Sequence, residues 1–417
     1  MRQDVARAYA PTNRPRLSQG VRQFVTFTLS AFLALALMAN AVFERFDSLR
    51  LGAAVAILIV LQTLVCPWLL LMREFVVYGA FAAYMMLSLL WAPDPLLGMN
   101  SVLPALDFVL ILVLFASLLT YGGVRPTVDG AFAGLLAGAV YYTASTRFPF
   151  IYPENFPYNA AASMYLFGLF ITCLWGWNRK LRLVPISVGL VLIMLIASTT
   201  SIKTNLGVLL GIVAAGITYR RRSWGALRRN ALQFIVIAGL LLYAALSSQA
   251  VIKSVEVGLM RVSLGTEVLT GKDKSQDEGA TQLGLGLRER WESEGVAGWV
   301  RNPVFGYGVE AFRADIGITS HSTPVDLLYN FGLIGFGLFY SIFAVLVLRL
   351  IRAAKESESG PQPLIFGGIV CYVFISLSGT MFYNAFLAAF IATSCALLRY
   401  VRVHVDGSQV SCIDTSA

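Results

Sequence analysis

The stretch GLGLRERWESEGVAGWVRNPVFGYGVEAFRADIGITSHSTPVDLLYNFGLIG, residues 284–335, is polar, charged and rich in glycine, while almost everything on either side of it is apolar. That contrast decides the fold class. Of 417 residues, 57% are hydrophobic and 13% charged, whereas an ordinary globular domain carries roughly 25% charged residues. Runs that approach the roughly 20 apolar residues needed to cross a bilayer recur along the whole sequence. A soluble chain of this length would suggest about two or three domains. The recurring runs point instead to an all-α, polytopic integral membrane protein, a single domain over 1–417.

Twelve spans are expected, near 23–43, 51–71, 75–91, 100–121, 127–145, 158–177, 183–199, 204–219, 231–249, 326–350, 362–380 and 382–400. With the N-terminus in the cytoplasm, 20 lysines and arginines fall on inner segments and 4 in short outer loops. The other 8 lie in one long outer segment, 250–325, to which the positive-inside rule does not apply. Both termini are then cytoplasmic. The net charge of +9 is mostly a topology signal. Nucleic acid is excluded as a partner because there is no basic folded domain to hold it. The run from Phe24 to Phe43 is too long for a signal-peptide core and reads as a retained first span.

No cofactor or metal is expected. Cys66, Cys173, Cys371, Cys395 and Cys412 are scattered without a CxxC pair, and two histidines cannot build a histidine-rich centre. The long outer segment opens with VIKSVEVGLMRV, apolar at helical spacing and suited to an interface. The linker TGKDKSQDEG follows, and then the quoted stretch. No long-period repeat or inverted duplication is visible.

Chemistry is sought on the outer face. Arg147, in the proline- and aromatic-rich TRFPFIYPENFPYN, reads either as part of an aromatic interfacial belt or as a partner for an anionic group. Lys203 interrupts two apolar runs. At mid-span it would cost about 2.5–3.5 kcal/mol, so it belongs at the outer surface or in a wet cavity. There it is either a snorkelling lysine at a turn or a phosphate partner. Arg288, Arg290 and Arg301 sit among Trp291 and Trp299. They suit phosphate oxygens and equally fit a solvated helix with local ion pairs. Arg288 and Arg290 are two apart, so a helix aims at most one at a site. Asn302-Pro303 should end that helix, and Gly306-Tyr307-Gly308 should allow a tight turn with close backbone approach to a ligand. His321, just outside a span and near cations, suits a general base or an interfacial position. Asp326 follows five residues on as a supporting group. His404, in the tail, is given no role.

These pieces resemble the O-antigen ligase and O-antigen polymerase superfamily of bacterial envelope proteins. The resemblance is carried by Arg288-x-x-Trp291, Asn302-Pro303-Val304-Phe305-Gly306-Tyr307-Gly308, His321, and Leu327-Leu328-Tyr329-Asn330-Phe331-Gly332-Leu333-Ile334-Gly335 opening a span. It departs where the family often has His-Asn (here His321-Ser322), Glu (here Asp326) and Ser-Arg (here Ser201-Ile202-Lys203). The resemblance implies a metal-independent glycosyltransferase of the bacterial inner membrane. Its donor would be a glycan on undecaprenyl pyrophosphate at the periplasmic face. Its acceptor would be lipid A-core for a ligase, or another lipid-linked repeat unit for a polymerase. By position Arg288 would bind the pyrophosphate and His321 would activate the acceptor hydroxyl, with Arg290, Lys203 and Arg147 as further candidates for the pyrophosphate. The competing expectation is a twelve-span secondary transporter or a polysaccharide-precursor flippase. Against the transporter stand the absence of related halves and of a long cytoplasmic link between the sixth and seventh spans.

Overall fold

A computed structural model describes residues 18–43, 73–146, 158–178, 183–199, 201–219, 285–356, 361–377, 379–382 and 384–405. These residues form twelve α-helices and no strand. In chain order the helices are α1 Gln19–Phe43, α2 Arg73–Ser88, α3 Pro95–Gly122, α4 Val124–Thr146, α5 Tyr158–Asn178 and α6 Leu183–Ser198. Then come α7 Ile202–Tyr219, α8 Leu285–Arg301, α9 Ala311–Ile316, α10 Thr323–Glu356, α11 Gln362–Ser376 and α12 Ala385–Val405. The all-α expectation holds for the described residues. The expected spans at 51–71 and 231–249, the outer segment up to residue 284, and Arg147 lie outside them. Each of the other ten expected spans coincides with a helix.

Two of these helices are long and apolar enough to cross a membrane, α3 over Pro95–Leu119 and α10 over Thr323–Ala354. Six further apolar segments, on α2, α5, α6, α7, α11 and α12, are 10–17 residues long. Boundaries moved where caps intervene. α3 starts ahead of the expected residue 100 because Asp94 caps it, its carboxylate accepting from the Leu96 and Leu97 amides at 3.0 Å each. Pro95 occupies the first turn, where a missing N–H costs nothing. α11 stops at Ser376 and α12 begins at Ala385. Gly379 and Thr380 are therefore part of a longer connecting segment and not a tight joint.

Helices approach one another through glycine. Gly130 and Gly134 on α4 let that helix sit against the Phe27 and Ala31 carbonyls of α1. Gly207 and Gly211 on α7 meet Cys371 and Gly367 on α11 in the same way. A side chain at Gly130 or Gly134 would collide with main chain, and this small-xxx-small spacing is what brings helix backbones close. The centre is aromatic. Tyr78 stacks on Phe108 with ring centroids 4.0 Å apart, and its hydroxyl donates to the Phe382 carbonyl at 2.5 Å. Phe81 meets Phe331, Phe339 and Phe382. This cluster joins α2, α3, α10 and the segment before α12, the elements that carry the candidate site.

Candidate functional site

α10 is broken inside. Gly332 has φ 61° and ψ −162°, far from helical values. A break in a helix releases amides and carbonyls that must find partners, and the loop after α8 supplies them. The Tyr307 amide donates to the Tyr329 carbonyl at 3.0 Å and the Gly308 amide to the Asn330 carbonyl at 2.8 Å. In return the Leu333 amide donates to the Pro303 carbonyl at 2.8 Å and the Ile334 amide to the Val304 carbonyl at 3.3 Å. Tyr84 on α2 adds a hydroxyl shared between the Phe305 and Phe331 carbonyls, at 3.0 and 3.3 Å. The segment 303–308 is thus spliced onto the broken helix. Tyr84→Phe removes that hydroxyl and leaves two carbonyls short of a donor. Unfolding by denaturant in detergent should show a loss of about 1 kcal/mol.

The splice explains the glycines. Gly306 (φ 68°) lies against the main chain of Asn330 and Phe331. Gly308 (φ 99°) lies against Ala92 and the Ser88 carbonyl, and Gly332 against Val304. Expected to bring backbone close to a ligand, Gly306 and Gly308 bring it close to α10 and α2. α8 ends at Arg301, as Asn302-Pro303 requires, and the Asn302 side-chain amide donates to the Gly306 carbonyl at 2.6 Å.

His321 sits in the turn between α9 and α10. Its φ is 59°, and only Glu310 among the other described non-glycine residues has a positive φ. Such a conformation costs on the order of 1–3 kcal/mol and persists where surrounding contacts impose it. Here they are visible. The Ser320 hydroxyl donates to the Ser322 carbonyl at 2.9 Å and accepts from the Ser322 amide at 3.0 Å, bridging around His321. The Ser322 carbonyl accepts from the Asp326 amide at 2.9 Å, and Asp326 Oδ1 accepts from the Ser320 amide at 3.2 Å. The imidazole lies beside Trp291 of α8, ring centroids 6.1 Å apart. α8 comes that close because Gly295 and Gly298 admit Val325, Phe312 and Tyr329 of the neighbouring helices. Arg288 precedes Trp291 by three residues on α8. The side chains of Arg288 and Arg290 lie outside the described residues.

Lys203, in the first turn of α7, reaches the same neighbourhood. Its ammonium lies against Gly379, where a methyl group would come within 2.5 Å of Nζ. The next residue, Thr380, donates its hydroxyl to Asp326 Oδ2 at 2.9 Å. Thr323 at the start of α10 donates to the Gly379 carbonyl and accepts from the Met381 amide at 2.8 Å. One run of contacts therefore links Lys203, Gly379, Thr380, Asp326, Ser320 and the backbone that carries His321.

Glu310 was not anticipated from sequence. It is buried, held in the left-handed conformation, and accepts a hydrogen bond from Ser101 on α3. It also stands within electrostatic reach of Asp326. Nothing in the order of residues marks a glutamate as the residue that will take a positive φ. Among the described residues no group of three His, Cys, Asp or Glu side chains is placed to hold a metal ion. An apolar cleft between α4, α5 and α6, lined by residues such as Phe132, Tyr165 and Leu192, contains none of the candidate side chains.

The chain matches no protein-family model and no curated protein. The functional reading therefore rests on the residues themselves and on the sequence resemblance.

Proposed function

We propose that this chain is a membrane glycosyltransferase of the O-antigen ligase or polymerase type. It would transfer a glycan from undecaprenyl pyrophosphate to an acceptor hydroxyl at the outer face of a bacterial inner membrane. The observation that carries the reading is the meeting of α8 with the histidine turn. The helix bearing Arg288 packs Trp291 beside His321, and Lys203 lies against Gly379, whose neighbour Thr380 bonds the Asp326 that holds that turn. Cation-bearing elements and a candidate base are thereby gathered around one neighbourhood.

The chemistry suits them. The acceptor oxygen attacks the anomeric carbon of the donor. Its proton passes to the His321 imidazole, and the bond from the anomeric carbon to the phosphate oxygen breaks with its electron pair. Undecaprenyl pyrophosphate leaves. Charge develops on the pyrophosphate, where arginine and lysine stabilise it more in the transition state than in the ground state. Arg288, Arg290, Lys203 and Arg147 are the proposed cations, and no metal is required by this scheme.

The membrane reading draws on the outward surfaces of the helices, and the proposal that it is multi-pass with both termini cytoplasmic draws on the count of lysines and arginines along the sequence. Only 39% of the apolar part of α10 is buried inside the protein, which is not how the core helix of a soluble protein is arranged. Phe24, Phe32, Val140, Leu209, Ile217 and Leu348 are exposed on α1, α4, α7 and α10. Lipid is the solvent such faces suit.

The test is reconstitution of the purified protein with an undecaprenyl-pyrophosphate glycan, offering either lipid A-core or a second lipid-linked unit. Transfer to one of them is expected. Glycan moving across the vesicle with transfer to neither would replace this reading by the flippase or transporter one. Within that assay Arg288→Ala should cut transfer at least about tenfold, since a charge-assisted bond contributes roughly 1.5–3 kcal/mol. His404→Ala should be silent. Unchanged transfer in Arg288→Ala, with normal membrane insertion, would take Arg288 out of the mechanism.

A further inference from the structure

The segment between α11 and α12 carries no residue that the sequence singles out, yet it touches Lys203 and the residues that open α10 beside the His321 turn. Thr323 grips it twice, through the Gly379 carbonyl and the Met381 amide. Asp326 grips it a third time through the Thr380 hydroxyl. The same Asp326 side chain uses its other oxygen on the Ser320 amide. On the far side, Lys203 places its ammonium against Gly379. Asp326 is thus a two-handed acceptor, with one oxygen on the turn that carries His321 and the other on the turn that Lys203 rests upon.

We propose that Gly379, Thr380 and Asp326 form a positioning clasp that sets the separation between the Lys203 ammonium and the His321 imidazole. None of the three is a catalytic residue in this scheme. The inference rests on the glycosyltransferase reading for its purpose, and for its existence on the hydrogen bonds of Asp326 and Thr323 and on the approach of Lys203 to Gly379. Its physical basis is rigidity. His321 is held in a conformation that is unfavourable by itself, and a lysine has four rotatable carbons between backbone and charge. A carboxylate that bonds both turns fixes one relative to the other, which is what a proton acceptor and a leaving-group cation need if they are to act on the same donor–acceptor pair.

Gly379 provides the sharpest probe. An alanine methyl there meets only the end of the lysine side chain at close range. The lysine can swing aside at little cost to the fold, so Gly379→Ala displaces the ammonium while leaving the helices in place. Asp326→Ala removes both grips. Asp326→Asn keeps an acceptor for the Ser320 amide and a partner for Thr380, so it keeps the geometry without the charge.

The experiment has two arms on the full-length protein in lipid nanodiscs. The first measures hydrogen exchange across residues 318–322 and the rate at which the Lys203 amine reacts with an acylating reagent. Asp326→Ala should speed exchange at Ser320 at least tenfold, and Asp326→Asn should restore most of the protection. Gly379→Ala should change the Lys203 labelling rate at least threefold without altering exchange at Ser320. The second arm measures transfer. Asp326→Ala should lower kcat at least tenfold with donor KM little changed, and Asp326→Asn should recover most of that loss. Gly379→Ala should raise donor KM several-fold. Unaltered Ser320 exchange in Asp326→Ala, or unaltered Lys203 labelling in Gly379→Ala, would overturn the clasp. So would an asparagine variant as impaired as the alanine one, because charge and not geometry would then be at work. If the wild-type protein transfers no glycan, the glycosyltransferase reading fails, and the first arm still decides whether the clasp exists.

Discussion

Replacing His321 by alanine should lower glycan transfer by about 10²–10⁴-fold, the usual contribution of a positioned general base. The protein should insert and fold normally. The turn is held by Ser320, Ser322 and Asp326 through main chain and hydroxyls, so loss of the imidazole leaves that scaffold in place. Alanine tolerates the positive φ poorly, at about 1 kcal/mol or more, so asparagine is the better second variant. It accepts the left-handed conformation more readily and cannot take up a proton at neutral pH. His321→Asn should be as inactive as His321→Ala while retaining the wild-type melting profile. Near-wild-type transfer in the asparagine variant would remove the histidine from proton transfer. The effect should fall on kcat, because the proton moves only as the acceptor attacks.

The second large effect concerns the fold that holds the site. Gly332→Ala should destabilise the protein by at least about 3 kcal/mol and lower the melting midpoint in detergent by at least about 5 °C. Two terms combine. With φ 61° and ψ −162°, position 332 lies in a region that is essentially reserved for glycine, and forcing alanine into it costs on the order of 1–3 kcal/mol. The methyl group would also meet the Val304 carbonyl and the Phe305 amide nitrogen, driving out the segment 303–308. That endangers four main-chain hydrogen bonds, each with a net contribution of roughly 0.5–1.5 kcal/mol. Gly337→Ala is the control. It lies on the same helix with open space where a methyl would stand, and alanine there should be neutral or slightly stabilising. Equal melting of the two variants would show that the break does not depend on glycine.

These two predictions divide the molecule along the line that separates local from non-local information. Helical class was legible because charge is absent over long runs, and a backbone placed in an apolar setting must satisfy its own hydrogen bonds. The end of α8 was legible because Asn302-Pro303 cannot continue a helix. Arg288 and Arg290 could be told apart because residues two apart on a helix face different ways. The start of α3 was missed by several residues, because Asp94-Pro95 caps a helix more strongly than a hydropathy count reveals.

Gly306 and Gly308 show where local reading stops. Their freedom of φ was legible, but its use was not. A glycine beside a ligand and a glycine beside another helix look alike in sequence. The structure spends both on the splice into α10 and α2. Lys203 and Asp326 are 123 positions apart, and no spacing rule relates them. They meet through Gly379 and Thr380, whose importance comes from what lies on either side of them. Glu310 is the same case in one residue, since it takes a positive φ and its carboxylate is met by Ser101 of α3, 209 positions away.

By itself, then, the sequence determined most of the helices among the described residues, most of their limits, and a short set of cationic and imidazole side chains proposed for pyrophosphate and proton transfer. It could do so because helix formation, capping and side-chain charge are properties of neighbours along the chain. The tertiary structure alone decided that α10 breaks at Gly332, that residues 303–308 mend the break, and that Lys203 and His321 are tied through Asp326. Those outcomes depend on which amides and carbonyls find one another across the fold, and hydrogen-bonding partners tens or hundreds of residues apart leave no period in the sequence.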